Sequence, residues 1–168
     1  MLYHSTRSKD HIADSAQAVL NGLAPDGGLY VPASLPSLDA EAVLKGDTMS
    51  MATRIIGSLL PDIPDMEQLV SKAYTGKFET NELTPTVDTG KFTVLELFRG
   101  PTSAFKDVAL CMLPQLLTAA REVKGEQKPI LILTATSGDT GKAALVGFRD
   151  VPGISICAFC TGLTPPSG

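Results

Sequence analysis

Two apolar runs near the end of the 168-residue chain, ILILTA and ISICAFC, restrict its possible folds more than any other feature. A continuously apolar run of this kind is typical of a central strand in a parallel sheet, covered on both faces. Between them lie TSGDTG, a polar loop with glycines, and GKAALVGF, a short helical segment. Upstream, KFTVLELF is rich in β-branched and aromatic residues and reads as a strand, and GPTS reads as a turn. Phe105, Val108, Ala109, Met112, Leu113, Leu116, Leu117 and Ala120 then recur at i, i+3, i+4 spacing and predict a long helix, ended at KGEQKP. Pro114 should kink or divide it. The order is βαβαβ, which predicts a parallel sheet with helical crossovers.

The first 80 residues read differently. HIADSAQAVLNGL has apolar residues close to helical spacing and is stopped by APDGG, while LYVP is a short extended segment. Two more helices are predicted over 47–59 and 65–75, separated by the prolines of PDIPD. The expected organisation is therefore α/β: a mainly helical N-terminal domain over residues 1–80, then the start of a parallel-sheet domain over 81–168.

Charge excludes some functions. Residues 1–80 carry six Lys/Arg against ten Asp/Glu, and the remainder eight against eight, so no basic footprint for nucleic acid is present. No apolar run approaches a membrane span and the N-terminus has no apolar signal region, which points to the cytoplasm. Cys157 and Cys160 have C-x-x-C spacing, but a zinc site needs four ligands and residues three apart on a strand face opposite ways. With Cys111 they read as reduced, small buried hydrophobes, and no metal site is expected.

In a parallel sheet, ligands bind beyond the carboxyl ends of the strands. GPTSAFK and TSGDTG follow successive predicted strands, so both should emerge on one edge. Lys106 opens the long helix, about 80° from the centre of its apolar face. A helix N-terminus disfavours a cation, and so does partial burial, which would suit an amine that must lose its proton to attack a carbonyl. The alternative is a lysine snorkelling at the surface. TATSGDTGK ends like a phosphate-binding P-loop, but Thr136 stands where that motif needs glycine and Ala143 where it needs Ser or Thr. What remains is a set of hydroxyls, on Thr136, Ser137 and Thr140, with backbone N–H groups at a helix N-terminus, suited to a carboxylate or phosphate. The alternative is a polar turn that only caps the helix.

LELFRGPTSAFKDVAL, TATSGDTGKAAL and the N-terminal STRS with GLAPDGGLYVP resemble, in order, the threonine synthase family, pyridoxal-phosphate enzymes of fold type II. The resemblance implies conversion of O-phosphohomoserine and water to threonine and phosphate. It assigns the covalent cofactor attachment and the catalytic amine to Lys106. Ser137, Gly138, Asp139, Thr140 and Gly141 match the loop facing the cofactor ring, and Thr102, Thr136 and Ser137 are the candidates for contact with substrate. Family members are much longer, and their glycine-rich phosphate loop and the residue beside the pyridine nitrogen come later in the chain. The expectation is therefore a truncated chain, inactive alone, with a noncatalytic cofactor- or amino-acid-binding module as the alternative. Arg99 departs from the histidine common before G-P-T. Oligomeric state is not legible.

Overall fold

The computed structural model describes residues 1–136 and 138–160, the side chain of Cys160 excepted. Ser137 and the closing TGLTPPSG lie outside the described residues. The architecture is mixed α/β, in two compact units: Met1–Lys72 with Gln115–Gln127, and Ala73–Pro114 with the chain from Lys128 onward.

In the first unit, β1 (Leu2–Ser5) is the middle strand of an antiparallel sheet, between β2 (Ile12–Asp14) and β3 (Tyr30–Pro32), with Tyr3 opposite both Ala13 and Pro32. Helices α1 (Ser15–Asn21), α2 (Ala40–Leu44), α3 (Thr48–Leu59) and α4 (Met66–Tyr74) follow, the last two within a residue of their predicted spans. The helix read from Ile12 begins three residues late. Ile12–Asp14 join the β1 ladder, and the Asp14 carboxylate accepts the Gln17 amide at 2.8 Å, so Asp14 becomes the cap. Asp39 and Asp47 cap α2 and α3 in the same way. The core gathers Tyr3, Ala13 and Ala18 on one side and Ile63, Leu69 and Val70 along α4 and its approach, all buried. The Tyr3 hydroxyl donates to the carbonyl of Leu59.

In the second unit, β4 (Thr86–Asp88) and β5 (Thr93–Leu95) form an antiparallel hairpin. Helix α5 (Asp107–Lys124) contains Pro114, and the units divide the helix there. Then come β6 (Ile130–Thr136), α6 (Asp139–Phe148) and β7 (Ile154–Cys160), with β6 and β7 parallel and Leu133 opposite Cys157.

Parallel pairing is thus confined, among the described residues, to β6 and β7. KFTVLELF contributes only Thr93–Leu95, paired backwards onto β4. Asp88-Thr89-Gly90 makes a tight turn: the Asp88 carboxylate accepts the Gly90 amide at 2.7 Å, the Thr89 amide donates to Phe92 O at 2.9 Å, and Gly90 takes φ 78°. A local turn closes at little entropic cost, whereas parallel pairing requires a long crossover. Helix α6 packs against both β6 and β7, but Leu131, Leu133 and Phe159 remain exposed, so the apolar runs are covered on one face only. Cys157 stands on that open side, exposed, contrary to its reading as a buried hydrophobe; Cys111, in α5, is buried.

Candidate functional site

The loop that carries Lys106 is built on Asp107. The Asp107 side chain is 1% exposed, and its two oxygens accept the Thr102 amide at 2.8 Å and the Thr102 hydroxyl at 2.6 Å. Gly100 lies over this carboxylate so closely that a Cβ there would come within 2.5 Å of Oδ2, which explains the glycine. The amide of Ser103, in the left-handed region at φ 60°, donates to Gly100 O at 3.1 Å, and the Asp107 amide donates to Ala104 O at 3.0 Å. The loop therefore closes on itself before the helix begins. A buried acid in the first turn of α5 also offsets the unfavourable placement of a cation one residue earlier.

Lys106 is half-buried. Its Nζ donates to Thr140 Oγ1 at 2.6 Å and lies 5.0 Å from the centroid of the Phe105 ring. Among the described residues no carboxylate is within ion-pairing distance of it. Thr140 lies in the first turn of α6, whose N-cap is Gly138. The Thr136 hydroxyl folds back and accepts the amides of Gly138 at 3.2 Å and Gly141 at 3.3 Å. Gly141 is required there, because a Cβ would come within 2.0 Å of Thr136 Cγ2. Among the described residues, its chain neighbours aside, nothing lies within 4 Å of where a Cβ on Gly138 would stand, so the loop is open there. Lys142 Nζ donates to Thr102 O at 3.4 Å and ties the two loops a second time.

Of the residues singled out from sequence, Lys106 and Thr140 meet directly, and Gly138 and Gly141 shape the loop beside them. Thr102 and Thr136 are near, but their hydroxyls are engaged by Asp107 and by the loop's own amides. Asp139 is exposed. Ser137 lies outside the described residues. Sequence reasoning passed over Asp107, Gly100 and Lys142; the acid directly after the helix-opening lysine was the available signal for the first. Arg99 bridges Glu79 at 2.8 Å and Glu96 at 2.7 Å, and these partners, Glu79 first, raise the guanidinium above its ordinary range. It acts as a clasp on the strand leading to the loop.

Fold and site together define an α/β protein with a lysine amine set against a glycine- and hydroxyl-bearing loop at a helix N-terminus. Residues 2–74 match the family described as threonine synthase N terminus. Threonine synthase of Saccharomyces cerevisiae is 36% identical over 98% of this chain and 36% of its own length. That of Corynebacterium glutamicum is 36% identical over 93% and 34%. The crystal structure of pyridoxal-phosphate-bound threonine synthase from Brucella melitensis superposes with a TM-score of 0.85 at 36% identity, over 94% of this chain and 35% of that one. The yeast enzyme's structure gives 0.84 at 34% identity, over 96% and 36%. Along nearly its whole length the chain is thus similar to the N-terminal part of threonine synthases, and it spans about a third of the length of these relatives.

Proposed function

We propose that this chain provides the lysine-bearing part of a pyridoxal-phosphate-dependent lyase, a threonine synthase that converts O-phosphohomoserine and water to threonine and phosphate in the cytoplasm. The observation that carries the reading is the 2.6 Å contact between Lys106 Nζ and Thr140 Oγ1, with no carboxylate within ion-pairing distance of the amine among the described residues. The open face of Gly138 leaves room for a flat ring beside that amine. When bound, the pyridoxal group would supply an electron sink for the carbanions left when protons are removed from the substrate carbons.

The protein's own residues do the rest. Lys106 Nζ would hold the cofactor, and, once released as a free amine, would accept and return protons at the substrate carbons. Thr140 Oγ1 orients that amine. The α6 N-terminus, where Thr136 takes the amides of Gly138 and Gly141, supports an anionic group of the substrate through its dipole and the amides of Asp139 and Thr140. Asp107 keeps the lysine loop in register with Thr140.

The test is incubation of the 168-residue chain with pyridoxal phosphate, borohydride reduction, digestion and mapping of modified lysines by mass. Selective labelling of Lys106 at near-equimolar cofactor supports the reading, and phosphate release from O-phosphohomoserine then measures turnover. Labelling spread evenly over Lys45, Lys72, Lys124 and Lys128 refutes it.

A further inference from the structure

The STRS segment is not used by the Lys106 site. Its residues lie in the first unit, where they interlock with the PDGG turn. Ser5, 2% exposed, donates from Oγ to Asp26 Oδ1 at 2.7 Å, and the same oxygen accepts the Gly28 amide at 2.9 Å. The Arg7 amide donates to Ser5 Oγ at 3.1 Å, and the Arg7 guanidinium donates to Asp26 O at 2.9 Å. Thr6 and Leu29 exchange two further bonds, at 2.8 and 3.0 Å. Gly28 cannot be replaced here, since a Cβ would come within 2.0 Å of Ser5 Oγ. The loop is therefore rigidly held by its first three residues, while its outer side is free to meet a ligand.

That outer side lines a cavity of about 440 Å³, formed by residues 4–9 and Val31. Arg7 and Lys9 both border it, and no carboxylate does. The acids bonded to its lining residues are engaged: Asp10 accepts Ser8 Oγ at 3.2 Å, and Asp26 is bonded by Ser5 and Gly28, with His11 Nε2 at 3.9 Å from its second oxygen. Neither Arg7 nor Lys9 forms an ion pair among the described residues. Residues 1–80 have ten acids for six bases, so two neighbouring cations facing a hollow without an acid run against the local charge balance.

We propose that this hollow is a binding site for a small phosphomonoester. A dianion matches two cations, and the guanidinium edge left by Asp26 O can present parallel donors to phosphate oxygens. The Thr6 hydroxyl, whose oxygen accepts the Leu29 amide, adds a further donor. The volume falls within the range of about 300 to 1,000 Å³ typical of small-molecule pockets, which fits a phosphate carried on an organic body. Val31 and the His4 ring, whose Nδ1 is occupied by Ser5 O at 3.0 Å, offer the body an apolar wall. The site is independent of the Lys106 reading and stands or falls separately from it.

The test is an amide NMR titration of the whole chain with glycerol 3-phosphate at constant ionic strength, with glycerol and sodium chloride as parallel controls. The expected result is saturable shifts at the amides of residues 6–9, absent with both controls, and affinity weakened about tenfold in Lys9→Gln, the loss of one charge-assisted contact. Lys9 makes no bond in the interlocked turn, so the variant's spectrum should be unchanged outside the loop. Unsaturable shifts matching those of chloride, or equal affinity in Lys9→Gln, would overturn the proposal.

Discussion

Gly147 backs onto the main chain of Leu110: a Cβ on Gly147 would lie 2.1 Å from the Leu110 carbonyl oxygen. Pro114, four residues along α5, supplies no N–H to that carbonyl. The hydrogen that Gly147 has in place of Cβ therefore points at an oxygen left without its helical donor, and α6 can approach α5 backbone to backbone. This approach brings Thr140 within reach of Lys106.

Gly147→Ala should accordingly destabilise the protein by about 1 to 3 kcal/mol, the cost of forcing apart a packed contact, even though alanine is the better helix former. Gly57→Ala, in α3, is the contrasting case. Its Cβ would meet only Met66, at 3.7 Å, and should stabilise by roughly 0.5 to 1 kcal/mol. Urea denaturation midpoints of the two variants should move in opposite directions.

Asp107→Asn replaces an acceptor by an amide that presents a donor to Thr102, whose N–H and O–H are buried there. A hydrogen bond to a charged group contributes about 1.5 to 3 kcal/mol, so a loss of that order is expected in denaturation. Labelling of Lys106 by pyridoxal phosphate should slow in the same variant, because the loop no longer holds the amine toward Thr140.

Thr140→Val removes the one side-chain hydrogen-bond partner that the Lys106 amine has among the described residues, while retaining shape. Selectivity of reductive labelling for Lys106 over the exposed lysines should fall several-fold, and Thr140→Ser should restore it. Unchanged selectivity in Thr140→Val would mean that the hydroxyl has no part in orienting the amine.

Asp62 accepts the hydroxyl and amide of Ser15 and pairs with the Met1 amino group, and the Ser15 hydroxyl is the largest cause of its lowered pKa. Asp14 is lowered likewise, first through Lys124. Because the folded values lie below the unfolded ones, this stability is present above about pH 4 and is lost as pH falls through the folded pKa. Denaturation midpoints should decline from pH 5 to pH 3, and less steeply in Asp62→Asn.

Burial pushes the Tyr74 phenol up to about 12, and its hydroxyl donates to Val108 O at 2.9 Å. An unfolded tyrosine ionises near about 10, so the associated stability is complete below that pH and declines as pH rises toward 12. Ultraviolet titration should find one phenol that ionises only at the upper end of this interval, and Tyr74→Phe should remove it.

Much of the local structure was legible. α3 and α4 were placed on either side of the prolines of PDIPD, and β6, α6 and β7 by apolar runs around a glycine-bearing loop. All of these signals act within a few residues. What was misread involved a choice between partners. Ile12–Asp14 satisfy a helical pattern, but a ladder with β1 takes them. KFTVLELF satisfies a parallel strand, but the Asp-Thr-Gly turn lets part of it pair with β4 first. Cys157 was read as buried because the apolar run around it implied two covered faces, and only one is covered.

The sequence by itself determined the motifs: a lysine at the opening of a helix, and a glycine-and-hydroxyl loop after an apolar strand. Covalent order and local turn chemistry suffice for those. Packing between distant segments is what lets Lys106 reach Thr140, turns Thr102 inward to Asp107, and sets Arg7 and Lys9 on a hollow with no acid in its lining among the described residues. Those relationships depend on how closely distant backbones approach. Such an approach, permitted at Gly147, Gly100 and Gly28 by the absence of a Cβ, leaves no periodic trace in the sequence.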